Sequence, residues 1–142
     1  MREYKPEHID NKIENEGDVE LARKIYLKNK INNLDFLLFK RFDWMNEFFT
    51  NRSAVIDFGP GAGLIEFYMN EKIILSDIKK LDFIDKEFDA LNIDLPNNSV
   101  YVFLCSYIIH HFAFPIKFLK SLEPKPLDGG LILIQKINTR FL

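Results

Sequence analysis

A chain of 142 residues has the length of one domain, and 47% hydrophobic with 28% charged residues is the balance of a soluble globular protein. A net charge of −2 gives no overall footprint for nucleic acid or an anionic membrane, and no apolar run approaches the ~18 residues that would span one. The single cysteine, Cys105, excludes an internal disulfide and no Cys/His cluster has zinc spacing; the opening Met1-Arg2-Glu3-Tyr4-Lys5-Pro6-Glu7 lacks a signal peptide's apolar run, so a cytoplasmic protein without a metal is expected.

Residues 1 to about 17 are polar and end at Gly17, the composition of a mobile arm or loosely docked extension. Asp18 is placed to cap a helix with Val19, Leu21, Ala22, Ile25, Tyr26 and Leu27 at helical spacing. A second helix is predicted from about Asn33 to Thr50, apolar at Leu34, Phe36, Leu37, Leu38, Phe39, Phe42, Trp44, Met45, Phe48 and Phe49. Its first half is apolar nearly all round, so it should be buried against a sheet or cover a ligand cleft, with Phe36, Phe39 and Trp44 in the core.

Ala54-Val55-Ile56 then reads as a buried strand, followed by Asp57, by Gly59, Gly61 and Gly63 at alternate positions around Pro60, and by helical spacing from about Ala62 to Asn70. Strand, glycine turn and helix in that order form the first βα unit of a nucleotide-binding α/β domain. Glycine lets the turn's backbone approach a ligand and tolerates positive φ, while a helix start offers unpaired N–H groups. The G-x-G-x-G spacing is one residue shorter than the dinucleotide fingerprint. A carboxylate at Asp57 would repel a pyrophosphate and suits a cationic ligand.

Lys72 to Ser76 reads as the second strand, closed by Asp77, where this fold places a carboxylate that accepts from two ribose hydroxyls. The connection from Ile78 to Ile84 is near the minimum for a parallel crossover. A short third strand is predicted over Lys86 to Ala90, and Asp94 to Ser99 is a turn by composition. Val100 to Cys105 is continuously apolar, the mark of a strand buried on both faces. Cys105 is expected in the core. His110 and His111 offer a base near neutral pH, although adjacent positions on a helix point about 100° apart, so at most one faces a cleft. A helix starting at Ala113-Phe114-Pro115 carries Ile116, Phe118, Leu119 and Leu122, Pro124 to Gly130 breaks it, and Leu131 to Ile134 is a fifth strand.

The stretch from Asp57 to Gly63 resembles motif I of the class I S-adenosylmethionine-dependent methyltransferases, an acid followed by Gly-x-Gly-x-Gly. Leu95-Pro96-Asn97-Asn98-Ser99-Val100 through Cys105-Ser106-Tyr107-Ile108-Ile109-His110-His111-Phe112 resembles the family's segment from "LP-x-x-S-x-D" to "HH", with Tyr101 at the usual aspartate. Pro126, Gly129 and Gly130 resemble its "L-x-P-G-G-x-L", with Leu127-Asp128 inserted. The resemblance covers residues 50 to 136 and implies a doubly wound α/β sheet of order 3-2-1-4-5. It divides the chain into a helical extension or lid over residues 1–50 and a cofactor-binding domain over residues 51–142.

The implied cofactor is S-adenosylmethionine. Asp57, Gly59, Pro60, Gly61 and Gly63 would meet its methionine part, Asp77 with Ile78 its ribose, and Asp89 with Ala90 its adenine, with Asp94 competing for the last role. Ser106 and Tyr107 would stand where the methyl sits, without the Asn/Asp-Pro-Pro-Tyr/Phe of amine methylases. The implied activity is methyl transfer to an unidentified, small-molecule acceptor, with no catalytic residue assigned. The alternative is a non-catalytic or partner-dependent cofactor-binding domain; a nicotinamide oxidoreductase fits the glycine spacing less well. The family adds two strands beyond the fifth, so here the fifth is expected to be an apolar edge, covered by a partner chain or by sequence missing from a truncated piece.

Overall fold

The computed structural model of the chain describes residues 17–29, 32–48, 54–106 and 108–135. Five strands, β1 (Val55–Phe58), β2 (Ile74–Asp77), β3 (Lys86–Glu87), β4 (Val100–Ser106) and β5 (Pro126–Gln135), form one sheet of order β3-β2-β1-β4-β5. Every neighbouring pair is parallel. This is the doubly wound arrangement predicted from the sequence.

Central β1 is buried at all four residues, and its period of two divides the protein into two cores. On one face Val55 packs with Leu75, Val102 and Leu104 beneath α1 (Val19–Asn29) and α2 (Asn32–Phe42), which contribute Tyr26, Leu38 and Phe42. On the other, Ile56 and Phe58 pack with Phe103 and Cys105 against Phe118 and Leu122 of α3 (Pro115–Leu122). Asp18 caps α1 as expected, its Oδ1 accepting from the Leu21 N–H at 2.9 Å.

Several elements differ from their sequence expectation. The second helix does not run on to Thr50, and residues 49–53 lie outside the described residues. It ends at Phe42 and passes into a 3-10 segment over Asp43–Phe48. Side chains occupy the Arg41 carbonyl that a continuing α-helix would use, with the Trp44 indole N–H donating at 2.8 Å and Gln135 Nε2 at 3.3 Å. The apolar girdle of α2 is not core either. Only a stripe meets the sheet, through Leu38 and Phe42, while Phe36 is 59% exposed and Phe39 and Trp44 also face outward. On α3, Ile116 is likewise exposed instead of joining the buried face.

After the glycine turn the expected helix over residues 62–70 is a single 3-10 turn, Leu64–Phe67. The buried amide of Asn46 stops it: Nδ2 donates to the Tyr68 carbonyl at 3.0 Å and Oδ1 accepts from the Asn70 N–H at 2.9 Å. Third strand β3 is only two residues long, so Asp89 lies beyond it, in a turn closed by an isolated bridge to Asn92.

Strand β5 starts earlier than Leu131. Val100 pairs with Pro126 and Val102 with Leu131, so four residues, Leu127 to Gly130, oppose Tyr101 in a bulge that absorbs the inserted Leu127-Asp128. Gly130 fits there because an added Cβ would lie 2.8 Å from the Leu127 carbonyl oxygen. Among the described residues β5 pairs only with β4, and Ile134 is exposed.

Candidate functional site

The carboxyl ends of β1, β2 and β4 meet at one edge of the sheet, where the strand order reverses direction between β1 and β4. That switch point leaves a crevice in doubly wound folds. β1 enters it through Gly59, whose N–H donates across to the Ser76 carbonyl at 2.9 Å. Ser76 Oγ in turn donates to the Asp57 carbonyl at 2.9 Å, tying the ends of β1 and β2 together.

The turn that follows takes positive φ at all three of its glycines: +61° at Gly59, +58° at Gly61 and +65° at Gly63. It is closed by a bond from the Gly63 N–H to the Pro60 carbonyl at 3.0 Å. The glycines are not equivalent. A Cβ at Gly59 would lie 2.7 Å from Ile108, and one at Gly63 would lie 2.9 Å from Phe83, whereas Gly61 has nothing within 4 Å. Gly61 is therefore the point where the backbone is bare toward open space.

Asp57 sits on the same face as Val55, under α2, and is 1% exposed. Neither carboxylate oxygen has a hydrogen-bond partner. Burial pushes its pKa well above the ordinary carboxyl value, against the Arg41 guanidinium and the Ser106 backbone, which favour the charged form; Asp77 adds a smaller upward push. Ser106 shares that face at the end of β4, and its hydroxyl donates to Gln135 Oε1 at 3.3 Å. Gln135 reaches on to the Arg41 carbonyl, so Ser106, Gln135 and Arg41 form a polar roof beside the buried acid.

Asp77 ends β2, and its Oδ1 accepts from the Lys79 N–H at 3.0 Å, which fixes the carboxyl group at the crevice edge; Ile78 between them is exposed. Asp89 forms a similar turn, Oδ1 accepting from the Leu91 N–H at 2.9 Å. Ala90 is buried in the α3-side core, its carbonyl accepting from Ser121 Oγ at 3.1 Å. Asp94 is exposed in the following loop, two residues before Pro96. The structure thus brings Asp57, the glycine turn, Asp77 and Ser106 to one end of the sheet, with Asp89 and Ala90 on the loop after β3.

His110 and His111 lie on the 3-10 turn Ile109–His111, rings 4.1 Å apart, His110 outward and His111 half-buried. Tyr107 lies outside the described residues. Cys105 is fully buried and burial pushes its thiol pKa up, leaving it protonated and inert.

Three supporting side chains carry no motif of their own: Arg23, Asn46 and Gln135. Arg23 donates to two carbonyls of the glycine turn, Asn46 ends the segment after it, and Gln135 holds Ser106. Only an unexplained polar residue at an apolar-face position could have flagged them. Gln135 follows Leu131 and Leu133 at period two, and Asn46 follows Met45 within an apolar stretch.

No protein-family model and no curated protein sequence matches the chain. Among solved structures its fold is similar to that of a proposed methyltransferase from Bacillus halodurans C-125, with a TM-score of 0.56 at 14% identity over 72% of this chain and 53% of that one. A SAM-dependent methyltransferase from Aquifex aeolicus is also matched, with a TM-score of 0.42 at 22% identity over 52% of this chain and 50% of that one. The chain spans about half the length of these two structures. The first likeness shows a shared fold, a doubly wound, Rossmann-like parallel sheet.

Proposed function

We propose that the chain binds S-adenosylmethionine at the carboxyl ends of β1, β2 and β4 and directs its methyl group to a small-molecule acceptor. The observation that carries this reading is Asp57, a buried carboxyl group with both oxygens unpartnered at the strand end that feeds the glycine turn. An unsatisfied buried polar group costs about 1–3 kcal/mol, and more when charged. Such a cost is expected where a ligand supplies the missing partner. A cationic ligand does so and a pyrophosphate does not, which sets the nicotinamide reading aside.

The residues fit the cofactor's parts. Asp57 meets a positively charged amino-acid end, and Gly61 leaves room for the ligand to lie on bare backbone. Asp77 offers the ribose hydroxyls a carboxylate already steadied by the Lys79 N–H. Asp89, at the loop after β3, is the partner proposed for the adenine amine, ahead of Asp94. When bound, the cofactor supplies a methyl group activated by the positive charge of its sulfonium. The chain's own task is then to align donor with acceptor and keep water out, work that needs no strong base. Ser106, held by Gln135, is the side chain proposed to face the reacting end.

Calorimetric titration with S-adenosylmethionine, alongside Asp77→Ala, tests the reading. Micromolar binding that weakens about tenfold in the variant, equivalent to ~1.4 kcal/mol, is the expected result. A folded wild type that takes up no S-adenosylmethionine would refute it.

A further inference from the structure

The N-terminal helix reaches the candidate site through one side chain. Arg23 of α1 is only 15% exposed at its side chain. Its Nη1 donates to the Ala62 carbonyl at 3.0 Å and to the Gly63 carbonyl at 3.2 Å, while Nη2 pairs with Glu66 in the 3-10 turn that follows. The guanidinium carbon also lies over two rings, 4.5 Å from the centre of Phe83 and 5.0 Å from that of Phe67. Phe83 belongs to the connection that leaves β2 at Asp77. That connection is tied back to its strand by Asp85, whose N–H donates to the Leu75 carbonyl and whose Oδ2 accepts from the Leu75 N–H, both at 2.9 Å.

Arg23 therefore touches both walls of the crevice, the glycine turn on one side and the segment after Asp77 on the other. The third glycine belongs to the same device. A Cβ at Gly63 would lie 3.0 Å from Arg23 Nη1 as well as 2.9 Å from Phe83, so glycine at this position makes room for the guanidinium. A trans peptide points its N–H opposite its carbonyl. By taking the Ala62 and Gly63 carbonyls, Arg23 fixes the direction of the N–H groups of Gly63 and Leu64.

We infer that Arg23 is a positioning residue that clamps the glycine turn to the Asp77 segment and so presets the shape of the ligand crevice. Its effect on a ligand rests on the cofactor reading above; its effect on the turn does not. Lysine keeps the charge but lacks the planar fork that spans two carbonyls, Glu66 and two rings at once.

The test compares Arg23→Lys, Arg23→Met and, as a control on the same helix, Tyr26→Phe. Amide hydrogen exchange of the ligand-free chain is measured over residues 59–64 and over β1 and β4, and S-adenosylmethionine affinity is measured by calorimetry. Both Arg23 variants are expected to speed exchange in the turn about tenfold relative to the strands, and to weaken binding about tenfold. Tyr26→Phe is expected to leave the ratio of turn to strand exchange unchanged. Millimolar guanidinium ion is expected to restore binding to Arg23→Ala, a rescue that general destabilisation would not show. Exchange that rises equally in turn and strands, or unaltered turn exchange, would overturn the clamp. A wild type that fails to bind S-adenosylmethionine while the Arg23 variants still loosen the turn selectively would overturn the cofactor reading and support the clamp.

Discussion

Replacing Asp57 with asparagine separates the energy of the fold from the energy of the site. In the ligand-free chain the Asp57 carboxyl group is buried with neither oxygen hydrogen-bonded, and burial raises its pKa well above the ordinary value. The unfolded chain ionises this group freely near its normal pKa of about 4, the folded chain only at higher pH. Between those two values the native state holds the extra proton, so stability is full below the unfolded pKa and falls as pH rises through the folded one, by about 1.4 kcal/mol per unit of difference. An asparagine side chain there would have nearly the same shape and no charge to desolvate. Asp57→Asn is therefore expected to raise the stability of the ligand-free chain at neutral pH by about 1–2 kcal/mol, or ~3–6 °C in Tm for a chain of this size.

Binding is expected to move the opposite way. A cationic ligand pairs with the ionised form, so affinity for S-adenosylmethionine should rise with pH until Asp57 is ionised in the free chain, and below that point each binding event should release a proton. Loss of a charge-assisted bond worth about 1.5–3 kcal/mol would weaken binding about tenfold to a hundredfold in Asp57→Asn. Calorimetry in buffers of different ionisation enthalpy reads the released proton directly, and the variant should release none. A variant that is less stable than wild type without ligand, or that binds with unchanged affinity and proton release, would refute the role given to the orphaned carboxyl.

Gly61→Ala is expected to lower stability by about 1–2 kcal/mol, from its φ of +58°, and to weaken S-adenosylmethionine binding because the new methyl enters the open side of the turn. Gly59→Ala, which drives a Cβ to 2.7 Å from Ile108, should be the more destabilising of the two; urea denaturation of both orders them. Asn46→Ala would leave the Tyr68 carbonyl and the Asn70 N–H without their side-chain partner, at a cost of about 2–4 kcal/mol measured the same way, and a loss under ~0.5 kcal/mol would show that water replaces the amide. The hydroxyls of Tyr26 and Tyr68 both donate to Asp35 Oδ1, and burial raises both phenol pKa values. Their stabilisation is present below the unfolded phenol pKa of about 10 and is lost as pH climbs through the folded values, so alkaline unfolding should start above pH ~10. Tyr68→Phe should reduce the slope of stability against pH there.

Local pattern carried the fold a long way. Apolar runs bounded by Asp57, Asp77 and Ser106 located β1, β2 and β4, and the glycines located the turn, because each signal lies within a few residues of the element it describes. The elements that departed were decided at longer range. Helical spacing from Ala62 to Asn70 is genuine as a pattern, but Asn46, 24 residues before Asn70, ends the helix after one turn. The apolar girdle of α2 suggested burial all round, yet the sheet is a single layer and receives only the Leu38 and Phe42 side. Gly129 and Gly130 marked a break before the fifth strand, whereas the strand passes through them as a bulge whose need is visible only once Val100 is paired with Pro126.

The site divides along the same line. The residues proposed to touch the ligand are consecutive or follow strands directly, and so can be named from sequence. The residues that hold them are 29 to 40 positions away, Gln135 from Ser106 and Arg23 from the glycine turn, and a polar residue at an apolar-face position, as at Gln135, does not by itself say which distant group it holds. Asp57 stands between the two cases. Its place before the glycines was legible, and the period of two that puts Val55 inward puts Asp57 inward with it, beneath α2. A charge-bearing side chain carried into that layer without a hydrogen-bond partner lowers the stability of the empty fold, and the local sequence offers no structural return for it: a neutral residue of the same shape would close β1 equally well. Arg41 and the Ser106 backbone offset part of that cost from within the fold, and the cationic ligand proposed above would offset the rest, which is why this carboxyl group, more than the glycines beside it, carries the proposal.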